Sequence, residues 1–353
     1  MSETWWWGTY PEAGAGSPTG TGEGIWVMAP GGPAVRAIEL PAPSFVVTHP
    51  DLPILYAVTD TERAEFVSLD VSDAARPVIL DRVPTGGSEA CHILLSRDTL
   101  TAYVAHYASG DLAVVPLLAD GRVAAPGPTQ LLRWEGSGPV PRRQEAPRAH
   151  FAGYAPSGSV LLVCDLGTDQ IRRFDVRSDG SLRADGVAAQ LPPGSGPRHF
   201  AARGDVIYVA CELDHTLKSL RWDSGSRTAS LLDSTPVTEV PLRSGDFPYA
   251  AHVLAVSDVV LASVRGCDVI AVFDIGGDGI PTYRASFDSG GEWPRHFAVT
   301  GERLVVGNER SHVVSVFDLA DVLSIEGDDE SGGFASLPHA DVAVASPACV
   351  AFG

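Results

Sequence analysis

The stretch VIYVACELDHTLKSLRW, residues 206–222, reads as two short strands joined by a polar loop. A run rich in β-branched and aromatic residues comes first. After Glu212 and the loop that follows it, apolar positions alternate with polar ones, the period of a half-buried strand. The same couplet recurs along the chain. ILYAVTD (54–60) precedes EFVSLDV, TAYVAHY (101–107) precedes DLAVVPL, and VLLVCDL (160–166) precedes QIRRFDV. VLASVRG (260–266) precedes VIAVFDI, and LVVGNER (304–310) precedes HVVSVFD. Thr59, His106, Asp165, Cys211, Val264 and Asn308 hold one place in this pattern, at spacings of 47, 59, 46, 53 and 44.

A period of about fifty residues, all β and with several strands per repeat, is the signature of a β-propeller. A solenoid fits less well, since these units are about twice a leucine-rich repeat. Six units are visible directly. A seventh can be assembled from the ends: SPACVAFG (346–353) resembles a first strand, and WWWGTY (5–10) and GIWVMAP (24–30) resemble the next two. A blade built from both termini closes the ring and leaves no open sheet edge. The expectation is an all-β fold, one domain over residues 1–353, a seven-bladed β-propeller of four-stranded antiparallel blades. Six blades is the alternative.

Composition narrows the function. The net charge of −19 disfavours a nucleic-acid or anionic-membrane partner. No apolar run is long enough to cross a bilayer. The start, MSETWWWGTY, lacks the basic and apolar regions of a secretory signal, so a cytoplasmic location is expected. Five widely spaced cysteines without a C-x-x-C argue against a disulfide framework or a thiolate zinc site. Neither a cofactor nor a metal is expected. Asp60, Asp165 and Asp169 are the weaker metal possibility, for they lack a calcium-loop signature. A closed ring needs no partner, so a monomer is expected.

A second word recurs: GSGPRHFAAR (194–203), GGEWPRHFAV (290–299) and APRAHFAGY (146–154) each head a first strand. Consecutive blade strands are antiparallel, so the head of the first lies beside the tail of the second. Cys91, His150, Arg198, Ala251 and Arg295 therefore share one face of the ring with Asp60, Tyr107, Leu166, Glu212, Arg265 and Glu309. First strands line the central channel, so His150, Arg198, Glu212, Arg265 and Arg295 are predicted to converge at its mouth, with Glu309 and Asp60 at the rim. His199, His252 and His296 fall one place later and should point the other way, as packing residues. Buried arginines need a carboxylate or a ligand. Glu212 is counted as one partner for two or three guanidinium groups, and the surplus positive charge implies an anion site.

The words THPDLPILYAV, YASGDLAVVPLLADGRV, PPGSGPRHFAA, DLGTDQI, VACEL, ASVRGCDVIAVF and WPRHFAV resemble the bacterial lactonase family over nearly the whole chain. That family includes propeller 6-phosphogluconolactonases and fungal 3-carboxy-cis,cis-muconate lactonizing enzymes. The resemblance implies a seven-bladed propeller with its site at the channel mouth. It also implies catalytic roles for His150 (in RAHF), Arg198 (in GPRH), Glu212 (in CEL) and Arg265 (in VRG). The chain departs from the family pattern at Arg148, His106, Cys211 and Val264.

Hydrolysis of a small anionic lactone is the leading expectation. Glu212 or His150 would act on water, and Arg198 and Arg265 would hold the anion and the developing oxyanion. Arg295, Arg148, Glu309, His106 and Asp60 are the candidate substrate-binding residues, with Arg142, Arg143 and Arg310 as further rim cations. A lactone-forming cyclase or isomerase acting on a carboxylate uses the same parts. No G-x-S-x-G or H-E-x-x-H word is present, which weakens serine-hydrolase and zincin readings. A non-catalytic scaffold is the rival class; it would show the four central residues mutually neutralised with no cavity.

Overall fold

Seven four-stranded antiparallel sheets stand around a central axis in a computed structural model that describes residues 3–10, 22, 24–156, 158–243, 247–327 and 334–353. The innermost strands are Pro347–Phe352, Phe45–Thr48, Ala90–Leu95, Ala149–Tyr154, Pro197–Arg203, Tyr249–Val256 and Pro294–Thr300, and each touches its neighbours around the full ring. We count blades in that order. Six blades run through the chain in sequence from the inside outward. The first is shared by the two ends: Pro347–Phe352 pairs with Trp5–Thr9, which pairs with Ile25–Met28 and then Val35–Ile38. Seven blades, not six, close the ring, and the terminal strands close it as the repeat pattern implies. Among the described residues no helix is long and apolar enough to cross a membrane.

The WWW at residues 5–7 belongs to this closure. Strand alternation sends Trp5 and Trp7 to one face, against Val305 and Val314 of the seventh blade. Trp6 goes to the other, against Val46, Leu55 and Ala57 of the second. Three indoles, all but fully buried, thus fill both seams beside the joint. Elsewhere the second strands of the blades are buried on both faces, because each blade is sandwiched between two others.

The innermost strands carry an irregularity that strand alternation alone does not reveal. In six blades the pairing skips a residue at the same place: Ala348, Cys91, His150, Arg198, Arg295, and in the sixth blade the Ala251–His252 pair. Such a bulge re-aims the side chains around it. Arg198 and His199 both reach the axis, as do Arg295 and His296. His199, His252 and His296 therefore do not point away, as simple alternation predicts. His92, His199, His252 and His296 form, with Phe45 and Phe151, a ring of touching aromatic side chains across the channel. His199 and His252 share a hydrogen bond between their Nδ1 atoms at 2.8 Å. The packing role expected of these histidines stands; the direction is different.

Burial keeps this ring neutral. It pulls His92 and His296 down to about 3, and holds His150, His199 and His252 well below the usual imidazole range. Unfolded, the same groups titrate near about 6.5. Below that pH the unfolded chain binds more protons, so the stability present above pH 6.5 is lost as the pH falls. Each imidazole contributes a slope of about 1.4 kcal/mol per pH unit. Urea unfolding at pH 7.5, 6.5 and 5.5 should show the midpoint dropping steeply across the last interval. A flat midpoint would contradict neutral burial.

Candidate active site

One backbone contact recurs at the mouth of the blades. The amide that follows the second strand donates to the carbonyl two residues before the skipped position. The pairs are Tyr10–Ser346, Asp60–Ala42, Tyr107–Glu89, Leu166–Arg148, Glu212–Gly196 and Glu309–Trp293, at 2.8–3.1 Å. In the sixth blade Arg265 pairs with Tyr249 at the same place. Ala42, Glu89, Gly196, Trp293 and Ser346 adopt left-handed backbone there. For a tryptophan that conformation is unfavourable; its recurrence in five blades makes it part of the blade pattern. The contact sets each of these side chains at the channel mouth.

Most of them surround a cavity of about 480 Å³. Seven arginines line it (Arg142, Arg143, Arg148, Arg198, Arg265, Arg295 and Arg310) against three carboxyl groups, Asp60, Glu89 and Glu212. In a chain of net charge −19 this is a local reversal of sign. His150 lines it too, as do four aromatic residues, Tyr10, Tyr107, Tyr249 and Trp293. No serine, threonine, asparagine or glutamine does so among the described residues.

Glu212 is the centre of the cationic side. It is 4% exposed, and Arg198 and Arg265 are 3% and 6% exposed. Arg265 Nη2 donates to Glu212 Oε2 at 2.7 Å, and Arg198 Nε lies 3.0 Å from the same oxygen. Arg143 Nη2 donates to Oε1. Its Nε donates to the Tyr107 hydroxyl at 3.1 Å. Glu212 thus serves three guanidinium groups, more than the single partnership the sequence suggested. Burial alone would push its carboxyl up, but Arg265, Arg143 and Arg198 together hold it well below the usual carboxylate range. Burial, with Arg265 alongside, pulls Arg198 down to about 9, so it stays charged at neutral pH. Burial and Arg198 keep the His150 imidazole neutral, and its Nδ1 has no hydrogen-bond partner.

Aromatic faces carry the remaining charge. Arg265 lies over Tyr249 and Trp293, Arg310 over Trp293, Arg148 over Tyr107 and Arg295 over Tyr10. Arg148 also donates from Nη1 to the Ala108 carbonyl at 2.7 Å. Arg295 Nη1 meets Glu309 Oε2 at 3.1 Å.

The predicted residues divide cleanly. His150, Arg198, Glu212, Arg265, Arg295, Arg148 and Asp60 all line the cavity. Glu309 does not; fully buried, it backs Arg295 from behind. His106 is not brought to the cavity either. It is fully buried behind the mouth, bonded to Thr85 at 2.7 Å and facing Asp111 at 2.8 Å. Asp165 and Asp169 are occupied in loop hydrogen bonds to Trp134, Thr168, Gln144 and nearby backbone amides. Among the described residues no three His, Cys, Asp or Glu side chains gather as a metal-binding group. Tyr10, Glu89, Tyr249 and Trp293 were missed. Their signal was present: the last three sit two places before Cys91, Ala251 and Arg295, a column read only at Arg148.

A closed seven-bladed ring with a cationic cavity at one mouth defines the chain as a β-propeller with a pocket suited to an anion. It belongs to the lactonase family of seven-bladed β-propellers, whose model matches residues 27–352. Among its relatives is a 6-phosphogluconolactonase of Bacillus subtilis, 28% identical over 326 residues, which are 90% of this chain and 88% of that one. Among solved structures, a protein from Lactobacillus plantarum superposes with a TM-score of 0.83 at 23% identity, covering 100% of both chains. A periplasmic gluconolactonase of Pseudomonas aeruginosa gives 0.81 at 24% identity, covering 99% of this chain and 98% of that one. At these identities the two structures speak to the fold.

Removing the central anion should be costly. Glu212→Gln leaves Arg198 and Arg265 buried without their counter-charge, and should lower stability by about 3–5 kcal/mol. Arg143 is one-third exposed, and Arg143→Ala should cost no more than about 1 kcal/mol. Urea unfolding of the two variants tests this ordering; equal midpoints would refute it.

Proposed function

We propose that the protein hydrolyses the ring ester of a small anionic lactone in the cavity at the channel mouth. The observation that carries this reading is the excess of guanidinium groups around one open cavity in an acidic protein. A scaffold would be expected to neutralise these groups with no space left. Here Arg198, Glu212 and Arg265 are paired with one another, yet a cavity of about 480 Å³ remains beside them.

In this proposal Arg198 and Arg265 face the acyl oxygen and stabilise the negative charge it gains. Glu212 holds both guanidinium groups in place. Three arginines keep it ionised, which makes it a poor proton acceptor. His150 is neutral and lines the cavity, and orients the attacking water. Arg148 and Arg295, with Arg142 and Arg310 at the rim, hold the substrate's anionic group. No metal is assigned a role. The closed ring has no inner edge to cover, and the five cysteines are free and buried. Both features support a monomer in a reducing, cytoplasmic setting.

One observation favours a second reading. The cavity wall is built mostly from guanidinium groups and aromatic faces, with three carboxyl groups and no neutral amide or aliphatic hydroxyl group among the described residues. That wall suits a planar carboxylate as well as a hydroxyl-rich sugar acid. A cyclase that forms a lactone from such a carboxylate would use the same arginines.

Hydrolysis of 6-phosphogluconolactone, simple aldonolactones and muconolactones should separate these readings. The wild type should open at least one, and Arg198→Ala should lose about 100-fold or more in kcat/KM on it. Full activity in both Arg198→Ala and His150→Ala would remove the assignment.

A further inference from the structure

Asp60 and Glu212 occupy the same place in the repeat, the residue after the second strand of a blade. Their blades, the second and the fifth, lie three steps apart in a ring of seven, so the two residues reach the mouth from opposite sides. Both line the same cavity. Cys91 sits between, within the field of Asp60 on one side and Arg198 on the other.

Their surroundings differ. Glu212 has three guanidinium groups within ion-pair distance. Asp60 has Arg295 nearby, but Arg295 is already engaged by Glu309 and lies over the Tyr10 ring. Glu89, from the head of the third blade, adds a second carboxyl group to the Asp60 side of the cavity. Two carboxyl groups at one site, one clamped by cations and one beside another acid, is the arrangement that divides a charge-holding role from a proton-moving role.

We propose that Asp60 is the proton-transfer residue of the lactone reaction, taking the proton of the attacking water and returning it to the leaving ring oxygen. This rests on the lactonase reading above. As the water oxygen bonds the acyl carbon, its proton passes to the Asp60 carboxylate. The carbonyl π electrons move onto the oxygen that Arg198 and Arg265 face. When the intermediate collapses, the ring C–O bond breaks with its electrons on the former ring oxygen, and the Asp60 proton goes there. Lactone and water become the hydroxy acid, and Asp60 is again a carboxylate. The product then releases its own carboxyl proton to solvent.

The groups around Asp60 suit that role. Burial raises its carboxyl to about 7; Glu89 and Glu309 add to the rise, while Arg295 and a hydrogen bond from Ser44 oppose it. The nearby Tyr10 hydroxyl, pushed up beyond its usual range by burial, stays neutral. A general base works best with its pKa near the working pH, and Glu212 is far below that.

The test is a pH–rate profile, with kcat and KM separated, on whichever lactone the wild type opens best. The wild type should gain activity as the pH rises through about 7, since the carboxylate is the active form. Asp60→Asn should lower kcat by about 100-fold or more with little change in KM, and abolish that limb. Glu89→Gln should move the limb to lower pH, because one negative neighbour is gone. Carboxyl ¹³C NMR of the folded wild type should show an aspartate titrating near 7 that Asp60→Asn lacks. An active wild type whose limb persists in Asp60→Asn overturns this proposal alone. Absence of the titrating aspartate does the same. A wild type inactive on every lactone removes the lactonase reading and this proposal with it.

Discussion

The hydrogen bond between the amide after each second strand and the carbonyl before each first strand sets much of this molecule. It closes the mouth of a blade, and it does so with backbone atoms that any residue supplies. The side chains at its donor end are consequently free to vary without disturbing the fold, while its acceptor end in five blades adopts left-handed backbone. Glu212, Asp60, Tyr10, Tyr107 and Glu309 all hang from its donor end, and Glu89, Arg148 and Trp293 from its acceptor end. A seven-fold repeat of one backbone contact thus becomes a wall of unlike groups around one cavity.

Charge is what makes that wall specific. Arginine is weakly hydrated, always charged near neutral pH and planar, so it tolerates burial better than lysine when a carboxylate or an aromatic face meets it. Both kinds of support are used here. Arg143, Arg198 and Arg265 meet Glu212, and Arg295 meets Glu309 and Tyr10. Below them the channel is filled by imidazoles that stay neutral. The floor is polar in composition yet carries no charge, and the guanidinium groups above it are not drawn down the channel by an anion.

Most of the site was legible from the spacing of the repeat, because register in an antiparallel blade puts fixed columns on a fixed face. Arg198, His150, Glu212, Arg265, Arg295 and Asp60 were reached that way, while Arg148 came from the family resemblance. Two residues show the limit of a column. His106 and Glu309 fall beside correct positions, but a step of one residue, or a larger neighbour in front, removes a side chain from the cavity. The imidazole ring shows a second limit. Alternation assigns His199 and His252 to the far face, and a skipped residue in the pairing returns them to the axis.

By itself, then, the chain's pattern favoured seven blades over six and implied the joining of its two ends and the face on which the charged columns gather. These follow from strand period and from the need to leave no open edge, both local properties read from neighbouring residues. Only the tertiary structure decided which charges meet. Glu212 and its three arginines come from two blades, the fifth and the sixth, and from the loop before the fourth. Distances of that kind depend on how the ring closes, and so does the difference between a carboxyl group clamped by arginines and one left beside another acid.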